Sequence, residues 1–138
     1  MVSGSCLCSA VKFSADGPLT PLSHCHCSMC RKAHGAPFAT FTSTTSDHFE
    51  WTGDESAVAR YQSSNGLERA FCRHCGSSVP EPQGSGEVYI PAGLIDDDAD
   101  LVADRHIFVA SQAPWHIIAG ALPRHDAYPN NELPVIDR

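Results

Sequence analysis

Apolar and polar positions alternate over short runs through most of this chain, and turn residues separate the runs. Phe38-Ala39-Thr40-Phe41-Thr42 alternates as a half-buried strand does. Residues 48–52 and 57–62 read similarly and are separated by a Gly53-Asp54 turn. Ser63-Ser64-Asn65-Gly66 is the strongest hairpin signal, because Asn-Gly supplies the positive φ angles of a tight turn. It joins residues 58–61 to Leu67-Glu68-Arg69-Ala70-Phe71, which runs directly into Cys72. Residues 10–13, 19–24 and 106–109, with Val79 and Val88-Tyr89-Ile90, are further strands, and residues 80–87 form a loop. Residues 30–34 read as a single helical turn, stopped by Gly35 and Pro37. Phe38, Phe41, Phe49, Trp51, Tyr61, Phe71 and Trp115 are assigned to the core. The stretch carrying Pro123, Pro129 and Pro134 is expected to lie over the core as an irregular tail. Many short strands with turns between them predict a mostly β fold.

Composition narrows the picture. A chain of 138 residues, without repeat or linker, is expected to form one domain over 1–138. Apolar residues at 42% exclude disorder, and ten prolines with ten glycines argue against long helices. A formal charge of −7 with scattered basic residues argues against nucleic-acid binding, which needs a basic stripe. Asp96-Asp97-Asp98 with Asp100 reads as a solvated loop, since the spacing lacks a calcium-loop pattern. No signal peptide or membrane-spanning run is visible, so a cytoplasmic address without membrane contact is expected.

The cysteines carry the chemistry. Seven thiols divide into Cys6/Cys8, Cys25/Cys27/Cys30 and Cys72/Cys75. In a reducing compartment such spacings bind metal more often than they form disulfides, and an odd count leaves one thiol over in any all-disulfide scheme. Cys72-x-x-Cys75 is a common half of a structural zinc site, with Gly76 permitting the tight turn. Cys6-x-Cys8 can supply the other half if Leu7 sits in a bend, since a straight strand would send the two side chains to opposite faces. Such a site contributes about 10–16 kcal/mol of apparent binding energy, against about 5–15 kcal/mol for the stability of a whole domain. Metal loss is then expected to unfold the chain.

Cys25, Cys27 and Cys30 supply three ligands, and no eighth cysteine exists to supply a fourth. A three-ligand zinc with an open position is the usual catalytic arrangement. Three thiolates leave the centre at net −1, a poor ioniser of water but a good partner for another sulfur. The open position therefore suits a substrate thiol held as thiolate. Two alternatives stand beside this reading: a second structural zinc closed by His24, His26 or His34, and a redox pair of Cys27 and Cys30. Arg31 and Lys32 are candidates for offsetting the charge of the cluster or receiving a substrate carboxylate. His26 and His34 are candidates for proton transfer, against a bland role in packing.

These motifs resemble the glutathione-dependent formaldehyde-activating enzymes, a family related to centromere protein V. The resemblance rests on Gly4-Ser5-Cys6-Leu7-Cys8 through Phe13, Cys25-His26-Cys27-Ser28-Met29-Cys30-Arg31-Lys32, Phe71-Cys72-Arg73-His74-Cys75-Gly76-Ser77, Pro91-Ala92-Gly93-Leu94-Ile95-Asp96, and His106 through Trp115. It implies an Mss4-like β-tent: several short antiparallel strands stapled by zinc, with little helix. It also implies two zinc ions, a structural one on Cys6, Cys8, Cys72 and Cys75 and a second on Cys25, Cys27 and Cys30. The implied activity is carbon–sulfur lyase chemistry, joining glutathione to formaldehyde. Ser9 stands where the family usually has glycine, so the first knuckle is expected to be shaped differently. The rival expectation is a non-catalytic zinc module that binds a protein partner or small thiols.

Overall fold

The computed structural model describes residues 1–129. Among them the chain forms, in order, β1 (Val2–Ser5), β2 (Lys12–Ala15), β3 (Leu22–Cys25), α1 (Ser28–His34), β4 (Ala39–Thr45), β5 (Phe49–Trp51) and β6 (Val58–Ser64). There follow β7 (Leu67–Cys72), β8 (Ser78–Val79), β9 (Glu81–Pro82), β10 (Glu87–Pro91) and β11 (Ala103–Ile107). Three sheets result, with strand orders β1-β2-β5, β11-β3-β4-β10-β9 and β6-β7-β8. The mostly β expectation is met, and α1 is the single α-helix among the described residues. No described helix is long and apolar enough to cross a membrane.

The all-antiparallel expectation needs one correction, because β11 pairs parallel to β3, with His106 opposite His24 and Ile107 opposite Cys25. Parallel neighbours need a long connection, and here the chain builds the other strands before returning to the β3 edge. The strand expected at 106–109 ends at Ile107, since Phe108 turns into the left-handed region at φ 55°. Beyond it, the backbone around Pro123 and His125 bonds to both polar groups of His106, at 2.8 and 2.9 Å. That part of the tail therefore follows β11; Pro134 lies outside the described residues.

The Asn65-Gly66 hairpin forms, but Gly66 alone takes a positive φ, at 75°, and the register shifts between Gln62 and Ser64. Strand β4 departs from its half-buried pattern. It lies between β3 and β10, and Phe41, Thr42, Ser43 and Thr44 are all buried in succession. Thr20 accommodates two of the polar members: the Thr42 hydroxyl donates to its carbonyl at 2.6 Å, and its hydroxyl accepts from the Ser43 N–H at 2.9 Å, whereas the buried Thr44 hydroxyl has no partner. Strand β1 gave no alternation signal. It is held by backbone pairing to β2 and by the acidic loop, where the Ser5 hydroxyl donates to Asp96 at 2.7 Å and the Ser3 N–H donates to Asp97.

Of the seven aromatics assigned to the core, only Phe41 is buried; Phe38, Phe49 and Trp51 are half-buried and the other three are exposed. Tyr61, Trp115 and Phe71 are 66%, 69% and 39% exposed. Tyr61 lies on β6, an edge strand of the β6-β7-β8 sheet, Phe71 lies on its central strand β7, and Trp115 lies in the irregular stretch after β11. The apolar interior consists of three clusters. One surrounds Phe13, Val88 and Ile90, and each of the other two contains cysteines.

Gly4 marks a close approach in the cluster around Phe13. A Cβ there would lie 2.4 Å from both the Leu94 carbonyl oxygen and the Phe13 ring. Gly4→Ala should therefore lower unfolding free energy by about 1–3 kcal/mol, read as a lower denaturation midpoint with an unchanged m-value.

Candidate metal centres

Two cysteine sulfurs from the β1–β2 connection and two from the end of β7 and the turn after it meet at one point. Cys6, Cys8, Cys72 and Cys75 place their Sγ atoms within 4.8 Å of one another, and none of the seven cysteines is in a disulfide. The Leu7 bend is present, because residues 7 and 8 form a turn closed by the Ser9 N–H on the Cys6 carbonyl at 3.0 Å. Ser9 holds φ 65°, a left-handed conformation that costs an L-residue about 1–2 kcal/mol. The knuckle thus keeps a glycine-like backbone despite the serine, and the expected change of shape is absorbed as local strain. The second knuckle closes through the Gly76 N–H on the Cys72 carbonyl at 2.8 Å, with Gly76 at φ 78°.

Charge on these sulfurs is uneven. The Ala10 N–H lowers the Cys8 thiol, but desolvation and the neighbouring sulfurs outweigh it and push it up to about 11. The Ser77 hydroxyl and then its N–H hold Cys75 down to about 5. Four crowded sulfurs cannot all ionise unaided, and a divalent cation removes that conflict. The donor set is all-thiolate and complete for a tetrahedral ion, and it fits zinc.

Cys25, Cys27 and Cys30 form the second cluster, also within 4.8 Å and all buried. Cys25 ends β3, Cys27 is the N-cap of α1, and Cys30 lies in its first turn. The Cys27 sulfur accepts the Cys30 backbone N–H at 3.2 Å, so the capping interaction ties that sulfur to the first turn of α1. Gly35, at φ 59°, caps the helix as anticipated, which starts two residues earlier than the predicted turn. Hydrogen bonding to Cys27 and Cys30 and then burial raise the Cys25 thiol far above its ordinary value. Among the described residues no histidine or carboxylate joins this trio.

The histidines lie elsewhere. His24 bonds through Nδ1 to the Thr40 hydroxyl at 2.8 Å. His26 is fully buried, and its Nε2 lies 2.9 Å from His106 Nδ1. Burial, and then the His106 charge, lower His26 to about 4, so it is neutral at pH 7. His24, His26, His106 and His116 surround Phe38, with ring centroids 4.5–6.0 Å from it. His34 lines a cavity of about 490 Å³ together with Ser77 and Ser78 from the second knuckle. Arg31 is half-buried at the helix and Lys32 is exposed.

Sequence reasoning passed over Arg69. This β7 residue is 7% exposed, and its Nη2 donates to the Cys30 sulfur at 3.6 Å. A signal existed: Arg69 shares the period-two face of Leu67 and Phe71, an unusual place for a charge. His106 and His116 were missed because nothing local marks two histidines as neighbours of His26 so far along the chain.

Comparison with known proteins agrees with this arrangement. Residues 1–111 match the model of the family described as glutathione-dependent formaldehyde-activating enzyme. An uncharacterized lyase of Schizosaccharomyces pombe is 30% identical over 108 residues, covering 77% of each chain. A putative glutathione-dependent formaldehyde-activating enzyme of Halomonas elongata is 32% identical over 124 residues, covering 83% of this chain and 79% of its own. The crystal structure of a Rhodobacter sphaeroides protein has the same fold, with a TM-score of 0.59 at 21% identity over 71% of this chain and 91% of its own. By sequence and by the placing of its cysteines, the chain belongs to the family of glutathione-dependent formaldehyde-activating enzymes.

Proposed function

We propose that this protein is a zinc-dependent carbon–sulfur lyase that adds a small carbonyl compound, formaldehyde or a close relative, to a small thiol such as glutathione, or releases it. Cys6, Cys8, Cys72 and Cys75 hold a structural zinc, and Cys25, Cys27 and Cys30 hold a second one. The observation that carries the reading is the division of seven sulfurs into a tetrahedrally complete quartet and a buried trio. Zinc on the trio, when bound, supplies charge stabilisation for a thiolate and a fixed orientation for it.

The chain's own residues do the rest. The capping hydrogen bond ties the Cys27 sulfur to the first turn of α1 before any substrate arrives. Arg31 and Lys32 follow the last sulfur on the same short helix and receive a carboxylate of the incoming thiol. In the forward direction the thiol gives up its proton, its sulfur bonds to the carbonyl carbon, and the carbonyl oxygen takes up a proton. We assign proton carriage to His34 in preference to His26. His34 borders an open cavity, whereas His26 is sealed from solvent and engaged with His106.

Purified protein mixed with glutathione and formaldehyde should form the adduct faster than the uncatalysed mixture, followed by disappearance of free thiol; a rate equal to the background removes the lyase assignment. Cys27→Ser should keep the fold, judged by far-ultraviolet circular dichroism, and lose at least about 100-fold in rate. Cys72→Ser, or a strong chelator, should abolish cooperative unfolding, because about 10–16 kcal/mol of metal binding exceeds what a domain of this size holds in reserve. Equal collapse of both variants would break the division between the two centres.

A further inference from the structure

Native proteins leave few buried polar atoms without a hydrogen-bond partner, and each exception calls for a reason. Six side-chain atoms are in that state among the described residues, and four belong to residues around the Cys25/Cys27/Cys30 trio: His26 Nδ1, Arg31 Nε, His34 Nε2 and Arg69 Nη1. Arg69 is the most constrained of these. Its Nε donates to the Ser63 hydroxyl at 3.2 Å and its Nη2 to the Cys30 sulfur at 3.6 Å. The register shift between Gln62 and Ser64 lies at the serine that anchors it. The guanidinium plane is therefore fixed at two of its three nitrogens, and the third, Nη1, is buried with nothing to bond.

We propose that Arg69 Nη1 binds an anionic oxygen carried two or three bonds from the sulfur of the substrate thiol. In the lyase reading, on which this inference rests, that oxygen is the alkoxide of the carbonyl adduct. The position of the guanidinium favours this oxygen over a remote carboxylate. A thiol sulfur joining the trio at the spacing the trio itself keeps lies within 4.8 Å of the Cys30 sulfur, the atom Arg69 already touches. An oxygen on the adjoining carbon then comes within reach of the same guanidinium, whereas the carboxylates of a tripeptide thiol lie several bonds further out. The step balances. The thiolate electron pair forms the carbon–sulfur bond, the carbonyl π pair moves onto oxygen, and the alkoxide takes a proton equal to the one the thiol released. Arg69 donates throughout and changes no charge of its own, as an oxyanion donor does.

Two thiols of equal length test this without turnover. Mercaptoacetate carries an oxygen anion near its sulfur, and 2-mercaptoethanol carries a neutral hydroxyl. Calorimetry on the zinc-loaded protein should show mercaptoacetate binding at least about tenfold more tightly. Arg69→Gln should erase that preference while leaving 2-mercaptoethanol affinity within about twofold of wild type, and Arg69→Lys should keep part of it. In the unaltered protein, the Arg69 guanidinium nitrogen resonances should move with mercaptoacetate and stay with 2-mercaptoethanol, a readout that holds even where the glutamine variant does not fold. Equal affinity of wild type for the two thiols, a preference unchanged by Arg69→Gln, or a guanidinium silent to mercaptoacetate each overturns the proposal. Glutathione and formaldehyde, run in parallel, separate it from the reading beneath it. Arg69→Gln should lower kcat by about 100-fold with little change in thiol KM. An Arg69-dependent preference with no acceleration by wild type sinks the lyase alone, and acceleration with no such preference sinks the Arg69 site alone.

Discussion

Two dense knots of sulfur must be assembled from strands only two to seven residues long, and that requirement governs most of the structure. Each set of Sγ atoms lies within 4.8 Å, a spacing at which thiolates repel and neutral thiols pack. Both knots sit inside apolar clusters: Cys6 and Cys72 with Val11, Val58 and Val79, and Cys25, Cys27 and Cys30 with Ala39 and Phe41. Five of the seven cysteines are buried and so serve as core residues. A fold with so little continuous interior gains much of its cohesion where those clusters close, which is why a cation at the quartet counts for so much.

Strand β7 ties the two knots together. It presents Arg69 to the trio and, three residues later, Cys72 to the quartet. The Asn65-Gly66 turn sets its register against β6, and with that register comes the serine that anchors Arg69. Displacement of the quartet would pull on the strand that carries the charge beside the trio. The quartet and the trio share no cysteine, but both meet this one element.

Surroundings decide the character of the trio. A cluster of thiolates favours a nearby cation, and the fold brings it from a strand distant in sequence. The neighbouring histidines are kept neutral by burial: His24, His26, His34 and His106 are all shifted down from the ordinary value, with desolvation the largest cause in each. Three of these rings, His24, His26 and His106, wrap Phe38 together with His116, and His34 packs edge-on against Phe41, so the region is dry and aromatic.

What the chain determined alone was whatever depends on near neighbours. Cysteine spacing divided seven sulfurs into two sets, Asn65-Gly66 set the hairpin, Gly35 stopped α1, and the cysteine motifs with their flanking residues announced the family. These signals are local because knuckles, caps and tight turns are made within a few residues. Tertiary structure decided what depends on distant partners. It set β11 parallel against β3, buried four successive residues of β4, left Tyr61 and Trp115 in solvent, and matched His26 with His106. Above all it chose the cation for the trio: Arg31 and Lys32 adjoin the sulfurs in sequence, but Arg69 touches one of them. Proximity along a helix says only which residues share a surface, whereas desolvated contact between a charge and a thiol requires two elements to pack, and packing is settled by the whole core at once.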